Sequence, residues 1–415
     1  MQVAPARVPP AHSPMSQWPV RDGELVVGGQ QLSQLAARVG QTPFYAYDRQ
    51  VLINRVAELR AALPKVVKLH YAMKANPMPA LVGFMATLVD GIDVASGGEL
   101  KVALDACANP MEISFAGPGK RHSELIQAVA SEVLINVESF REVRELAKIS
   151  SELGLPARVA VRVNPDFELK GSGMKMGGGP KQFGIDAEQV PELLGEIGRQ
   201  RLAFEGFHLF AGSQNLRAES ICEAQQKSYE VVLKLAEFAP SPVRFLNLGG
   251  GFGIPYFPGE TQLDLAPIAS NLDTLVQRAA SDMPDAQIVI ELGRYLVGEA
   301  GIYVTSIVDR KMSRGQAFLI ADGGLNHHLS ASGNFGQVIR KNYPVAIGTR
   351  MCSEKFESVT VVGPLCTPLD ILADRMELPV AGPGDLVVVF QSGAYGASAS
   401  PHHFLGHPAP IEVLV

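Results

Sequence analysis

Residues 132–164 read EVLINVESFREVRELAKISSELGLPARVAVRVN. The two ends, EVLINV (132–137) and ARVAVRVN (157–164), are apolar runs of strand length. Between them Val143, Leu146 and Ala147 fall at i, i+3 and i+4, the spacing of one helix face. The same rhythm extends both ways. Strand-like runs precede it at VVKLHYAM (66–73), GIDVAS (91–96) and MEISFAG (111–117). Others follow at LAFEGFHLF (202–210), VRFLNLG (243–249) and QIVIEL (287–292), with helical periods between them such as AESICEAQQKSYEVVLKLAEF (218–238). Eight strands alternating with helices over about 240 residues predict a (β/α)8 barrel of the TIM type. A doubly wound open sheet is the alternative that the pattern alone leaves.

The rhythm stops near residue 300. GIYVTSIVD, QAFLIADGG, FESVTVVG, DLVVVF and PIEVLV are strand-like without long helical periods between them. The fold class expected is therefore α/β: the barrel plus a mainly β second domain. Before the barrel, GELVVGGQQLSQLAARVG reads as a strand and a helix, PFYAYD (43–48) as a strand and RQVLINRVAELRAAL as a helix. The expected boundaries are a disordered Pro-rich leader at 1–17, strands at 18–46 joining the β domain, the barrel at 47–300 and the β domain at 301–415. The Gly-rich stretch 171–180, GSGMKMGGGP, reads either as a lid or as a surface loop.

The chain has 415 residues, 47% apolar and 19% charged, enough for two cores. A net charge of −6 without a basic stripe argues against nucleic acid or an anionic membrane as partner. Four cysteines, at 107, 222, 352 and 366, form no C-x-x-C pair, so neither a disulfide framework nor a metal site is expected. Reduced thiols suit a cytoplasmic location. The start lacks the apolar core of a signal peptide, and no apolar run approaches the ~18 residues of a membrane span.

A barrel of this kind builds its site at the C-terminal strand ends. Lys74 follows the first strand amid small and apolar residues, where an ammonium is costly unless its pKa falls or it is used covalently; a snorkelling lysine is the plainer reading. The second strand ends in Asp93 and Ser96, and the fifth in Asn164. His208 stands on the sixth, which runs into Gly212 and Ser213. GGGFG (249–253) follows the seventh, where glycines let backbone N–H groups close on a phosphate or simply make a tight turn. Glu291 ends the eighth, ahead of Gly293 and Arg294; it could serve a cationic ring nitrogen or pair with Arg294. One cofactor needs this set: pyridoxal 5'-phosphate takes a lysine for its Schiff base, a carboxylate for its ring nitrogen and a cradle for its phosphate. Cys366, in LCTPLD (365–370), reads by itself as a buried structural thiol.

YAMKAN, GIDVASGGEL, VRVNP, GFHLFAGSQ, LNLGGGFG, ELGRY, ADGG, LCTPLD and GAYGASAS, in that order, resemble the fold-type III pyridoxal phosphate decarboxylases. That group contains the diaminopimelate, ornithine and arginine decarboxylases, and the diaminopimelate branch is the nearer. The likeness covers the chain from about residue 43. It implies that Lys74 carries the cofactor as an aldimine and that Glu291 pairs with its ring nitrogen. His208 and Phe210 would pack on the ring. Ser213, Gly250, Gly251, Gly293 and Arg294 would hold the phosphate, and Tyr395 would reach cofactor or substrate. It further implies a homodimer with shared sites, in which the partner subunit's Cys366 returns a proton to Cα after CO2 leaves.

The sequence departs from that branch on its substrate side. Phe210 replaces a second histidine. Thr367 stands where glutamate or aspartate reads the distal amine of the substrate, while Asp370 is kept. The arginine and tyrosine of R-P-x-x-Y are absent after ADGG; Arg340 and Tyr343, in HHLSASGNFGQVIRKNYP, are the candidates to serve instead, with Arg294. The expectation is a decarboxylase whose substrate is not a free diamino acid, and the same segment resembles a subgroup acting on aminoacyl groups of an acyl carrier protein. A diaminopimelate decarboxylase making lysine, an amino-acid racemase and an inactive regulatory homologue are the competing readings.

Overall fold

The computed structural model describes residues 11–167, 174–175 and 178–415. Residues 1–10 of the expected leader, and 171–173 and 176–177 of the Gly-rich stretch read as a lid or a surface loop, lie outside them. By its contacts the chain divides into two units. One comprises Leu52–Gly253 and Leu263–Val297; the other holds the residues up to Val51, Ile254–Gln262 and Gly298–Val415.

The first unit is the barrel. Its strands are β1 (Lys68–Ala72), β2 (Gly91–Val94), β3 (Ile113–Phe115), β4 (Leu134–Val137), β5 (Arg158–Asn164), β6 (Ala203–Leu209), β7 (Phe245–Gly250) and β8 (Gln287–Leu292). They are the eight runs read from the sequence. All pair in parallel, and β8 returns to β1 with Glu291 opposite His70, so the sheet closes and the open-sheet alternative falls away. The helix Phe140–Leu153 shows why the local rhythm works. Ser139 accepts a hydrogen bond from the Glu142 N–H at its start, Gly154 ends it at φ 67°, and Val143, Leu146 and Ile149 are buried. Each such side chain contributes about 1.5–3 kcal/mol by leaving water.

The second unit is built on a mainly β sheet. The strand Phe44–Tyr47 lies between Gly301–Ser313, antiparallel, and Ile411–Leu414, parallel. Gly301–Ser313 also pairs with Leu386–Val389 and Gln316–Ala321, and the sheet continues through Phe356–Val362 to Ile371–Pro379. Trp18, Leu25, Val27, Leu32 and Leu35 cover Phe44, Ile302, Val304, Val388 and Phe390 in its core. Residues 11–17, expected to be disordered, are hydrogen-bonded: Ser13 donates to the Glu260 carbonyl at 2.6 Å, and the Ala11 carbonyl accepts from Gly259. Among the described residues no helix is long and apolar enough to cross a membrane.

Candidate active site

Lys74 sits in a single 3-10 turn, Met73–Ala75, at the C-terminal end of β1. Its Nζ is 3.6 Å from Glu291 Oε1 on β8 and 5.3 Å from the centre of the Phe210 ring. The lysine is partly exposed and the carboxylate buried. The other glutamate oxygen, Oε2, is 3.1 Å from His208 Nε2 on β6. Burial by itself would push the Glu291 carboxyl up. Lys74, His208 and the charge of Arg162 overcome that and hold it well below the usual carboxylate range. The barrel mouth therefore carries an ionised, water-excluded carboxylate beside an accessible amine.

Backbone closes around this pair. A Cβ at Gly250 would lie 2.1 Å from the Glu291 carbonyl, and one at Gly251 would lie 2.2 Å from the Gly212 carbonyl. Gly251 also takes φ 74°, so no other residue type suits it. The loop after β7 is thus pressed onto the end of β8 and onto Gly212–Ser213. A Cβ at Gly293 would lie 2.9 Å from both the Ala72 carbonyl and the Ala75 Cβ, on either side of Lys74. Arg294 opens the short helix that follows. His208 Nδ1 is buried with no hydrogen-bond partner among the described residues. An amine, a buried anion, an apolar ring and a glycine-lined backbone cradle fit pyridoxal phosphate. Lys74 would bind its aldehyde, Glu291 would serve its ring nitrogen, and the loops at Ser213, Gly250–Gly251 and Gly293–Arg294 would take its phosphate.

Below this layer lies a polar belt of which the sequence reading singled out only Asp93. His70 Nδ1 is 3.2 Å from Asp93 Oδ1, which accepts from Ser114 Oγ at 2.5 Å; Asn136 Nδ2 donates to Ser114 Oγ at 3.0 Å. One residue comes from each of β1 to β4. Burial pulls His70 down, but Asp93 beside it leaves its pKa raised. On β5, Arg162 Nη1 is 3.4 Å from Glu138 Oε1. The available signal was period 2: His70 stands two before Ala72 and Arg162 two before Asn164, on the same side of their strands.

The remaining expected site residues belong to the β unit. Cys366 is exposed, so it is not a buried structural thiol. Thr367 Oγ1 accepts from the Leu369 N–H at 3.3 Å. Asp370 is buried, and backbone N–H groups take both its oxygens: Leu325 to Oδ1 at 2.6 Å and Leu365 to Oδ2 at 2.8 Å. Gly324 and Gly363 make room for it, since a Cβ on either would come within 2.1–2.3 Å of a carboxylate oxygen. Burial pushes the Asp370 carboxyl up, against these two hydrogen bonds. Arg340 donates through Nε to the Ser332 carbonyl at 3.1 Å and through Nη2 to the Ile371 carbonyl at 2.9 Å. Tyr343 is buried, its ring centre 4.7 Å from Tyr256 and 5.7 Å from His328. Tyr395 holds φ 53°, a conformation costing a non-glycine residue roughly 1–3 kcal/mol. Its carbonyl accepts from Ser330 Oγ at 2.7 Å.

Comparison with known proteins agrees with this chemistry. Residues 49–298 match the family described as pyridoxal-dependent decarboxylase, pyridoxal binding domain. The chain is 40% identical over 380 residues to the L-glutamyl-[BtrI acyl-carrier protein] decarboxylase of Niallia circulans, covering 90% of this chain and 89% of that one. It is 34% identical over 404 residues to the diaminopimelate decarboxylase of Aquifex aeolicus, covering 95% and 91%. The crystal structure of Helicobacter pylori diaminopimelate decarboxylase complexed with L-lysine matches with a TM-score of 0.81 at 28% identity, over 92% of this chain and 94% of that one. Likeness along both units, added to a lysine and a buried carboxylate at the barrel mouth, leads to one conclusion: the chain belongs to the pyridoxal-dependent decarboxylases, and is an enzyme that uses pyridoxal phosphate to remove CO2 from an amino-acid substrate.

Proposed function

We propose that the substrate is an aminoacyl group carried as a thioester on an acyl carrier protein, and that its distal end is uncharged. The loop that carries Cys366 supports this. Position 367, where a carboxylate would read a distal ammonium, is threonine, and its hydroxyl caps its own turn. The only carboxylate in LCTPLD, Asp370, is consumed by two backbone N–H groups. An ammonium arriving there would be desolvated without a counter-ion. The relative at 40% identity acts on a glutamyl group of a carrier protein. For α-decarboxylation the α-amine and α-carboxylate must both be free, so the thioester has to be formed through the side-chain carboxyl. That linkage makes the distal end neutral, as Thr367 requires.

Pyridoxal phosphate, when bound, supplies the electron sink for the bond to CO2. Lys74 would hold the cofactor until the substrate amine replaces it, and the ionised Glu291 would favour a proton on the ring nitrogen. The partner subunit's Cys366 returns one proton to Cα, replacing the CO2 that leaves, and the thioester is untouched. This assignment requires a homodimer.

The test is a panel assay of CO2 release. A glutamyl thioester on a carrier protein is expected to turn over, while free glutamate, lysine, ornithine and diaminopimelate turn over at least ~10²-fold less well by kcat/KM, about 2.7 kcal/mol of discrimination. Efficient release from free diaminopimelate would overturn the reading in favour of a diaminopimelate decarboxylase. In the same assay Cys366→Ala should slow turnover by roughly 10²–10⁴-fold, the worth of a positioned proton donor, with the visible band of the lysine-bound cofactor retained. An unchanged rate would remove Cys366 from the mechanism.

A further inference from the structure

At the N-terminal end of the barrel, away from the mouth that holds Lys74, the first residues of six strands enclose a cavity of about 330 Å³. His70 lines it from β1, although the residue is only 2% exposed. Gly91, the first residue of β2, makes room for the ring: a Cβ there would lie 2.4 Å from His70 Nε2 and 2.5 Å from the Glu112 carbonyl. The ring therefore spans two layers. Nε2 lies beside Gly91, on the cavity side, and makes no hydrogen bond among the described residues. Nδ1 lies 3.2 Å from Asp93 Oδ1, further along β2. Hydrogen bonds fix the charge of this pair. Asn136 donates to Ser114 Oγ, and the Ser114 hydroxyl donates to Asp93 Oδ1, so Asp93 accepts as a carboxylate and His70 Nδ1 is a donor. Asp93 is 6% exposed; among the described residues its Oδ2 has no hydrogen-bond partner, and His70 is its one ion-pair partner. A carboxylate so buried needs a countercharge. A protonated His70 supplies it, and the second ring N–H then faces a cavity with room for water.

We propose that His70 is a positioning residue for the decarboxylation: protonated and anchored on Asp93, it turns the positive end of a buried ion pair toward Glu291. The strands run β8, β1, β2 around the barrel, with Glu291 directly opposite His70 in register. Asp93 stands one strand further away, so its negative charge cancels only part of the field that His70 exerts at Glu291. The attraction acts both ways. Burial pulls the His70 pKa down, and Asp93, Glu112 and Glu291 together leave it raised. The other charges around the cavity do not undo this. Arg158 is paired with Glu205 at 3.1 Å, and Lys68 lies 3.9 Å from Asp90. Arg244, on the rim, is exposed and has no carboxylate partner among the described residues. From β7 the Phe245 ring faces His70, centre to centre 6.2 Å. His70 thus adds to Lys74 and His208 from below the site, and its part does not depend on which amino-acid substrate enters.

The test combines a direct view of the proton with a spectroscopic titration. Neutron diffraction from wild-type crystals of the cofactor-loaded enzyme, exchanged into heavy water near neutral pH, should show deuterium on both ring nitrogens of His70. In solution, the visible band of the lysine-bound cofactor should titrate with a higher midpoint in His70→Gln, because loss of a nearby positive charge favours protonation of the lysine nitrogen. The rise should be roughly half to one pH unit, less than the ~1–3 pH units that a charge in contact produces. Asp93→Asn, which removes the reason for the His70 proton, should raise the midpoint by less: it leaves no charge behind, whereas His70→Gln strands a carboxylate. A role in packing alone would lower stability or turnover and leave both midpoints at the wild-type value. A single deuteron on His70, unmoved midpoints, or a fall in either midpoint would each overturn the proposal. The neutron map needs no variant, so it decides the charge of His70 even where a substitution prevents folding.

Discussion

Lys74→Ala is expected to give a folded protein with no visible absorbance from a lysine-bound cofactor and with turnover reduced at least ~10²–10⁴-fold, the range that positioned proton-transfer groups supply. The fold should survive because the side chain is only partly buried and Glu291 keeps its contact with His208. Far-ultraviolet circular dichroism should match that of wild type. A second effect is electrostatic. Lys74 is the strongest charge holding the Glu291 carboxyl down against burial, so its removal should move that group's titration upward. A variant that keeps the visible band would show that another amine binds the cofactor.

Glu291→Gln is expected to keep the volume of the site and lose its charge. Turnover should fall by roughly 10²–10³-fold, the usual cost of removing one preorganised electrostatic contact. The cofactor should still bind through Lys74, so the visible band persists with a shifted maximum. Stability gives an independent readout. The folded-state pKa of Glu291 is depressed, so its contribution is fully present above the unfolded value of about 4.3 and is lost as pH falls through the folded value. Wild type should therefore be more stable than the variant at pH 7, by denaturant titration, and that advantage should shrink steadily below about pH 4. A difference that does not depend on pH would mean that Glu291 acts by packing and not by charge.

The barrel strands were legible because they are short apolar runs bounded by helical periods; their number favoured closure, and the pairing of β8 with β1 establishes it. Lys74 and Glu291 were legible because charge at the end of such a run is rare. His70 and Arg162 were not, since a polar residue inside an apolar run reads as noise until the barrel interior shows what it faces. The strand Ile371–Pro379 was missed for a related reason: Asp374, Arg375 and Glu377 interrupt its apolar pattern, and tertiary pairing with Phe356–Val362 makes it a strand. At LCTPLD the residue types were clear and their partners were not. Only the fold shows that Asp370 spends both oxygens on Leu325 and Leu365.

The position of Phe44–Tyr47 has a consequence for biosynthesis. This strand is made before the barrel, yet the neighbours on its two edges are Gly301–Ser313 and Ile411–Leu414. The first arrives only after the whole barrel has been translated, a wait on the order of tens of seconds at ordinary elongation rates. The second follows only after the other strands of its unit. Until then an apolar strand has open edges of the kind that pair with foreign chains. Deleting residues 411–415 would reopen one of those edges permanently, so the strand Ile411–Leu414 guards the molecule against aggregation.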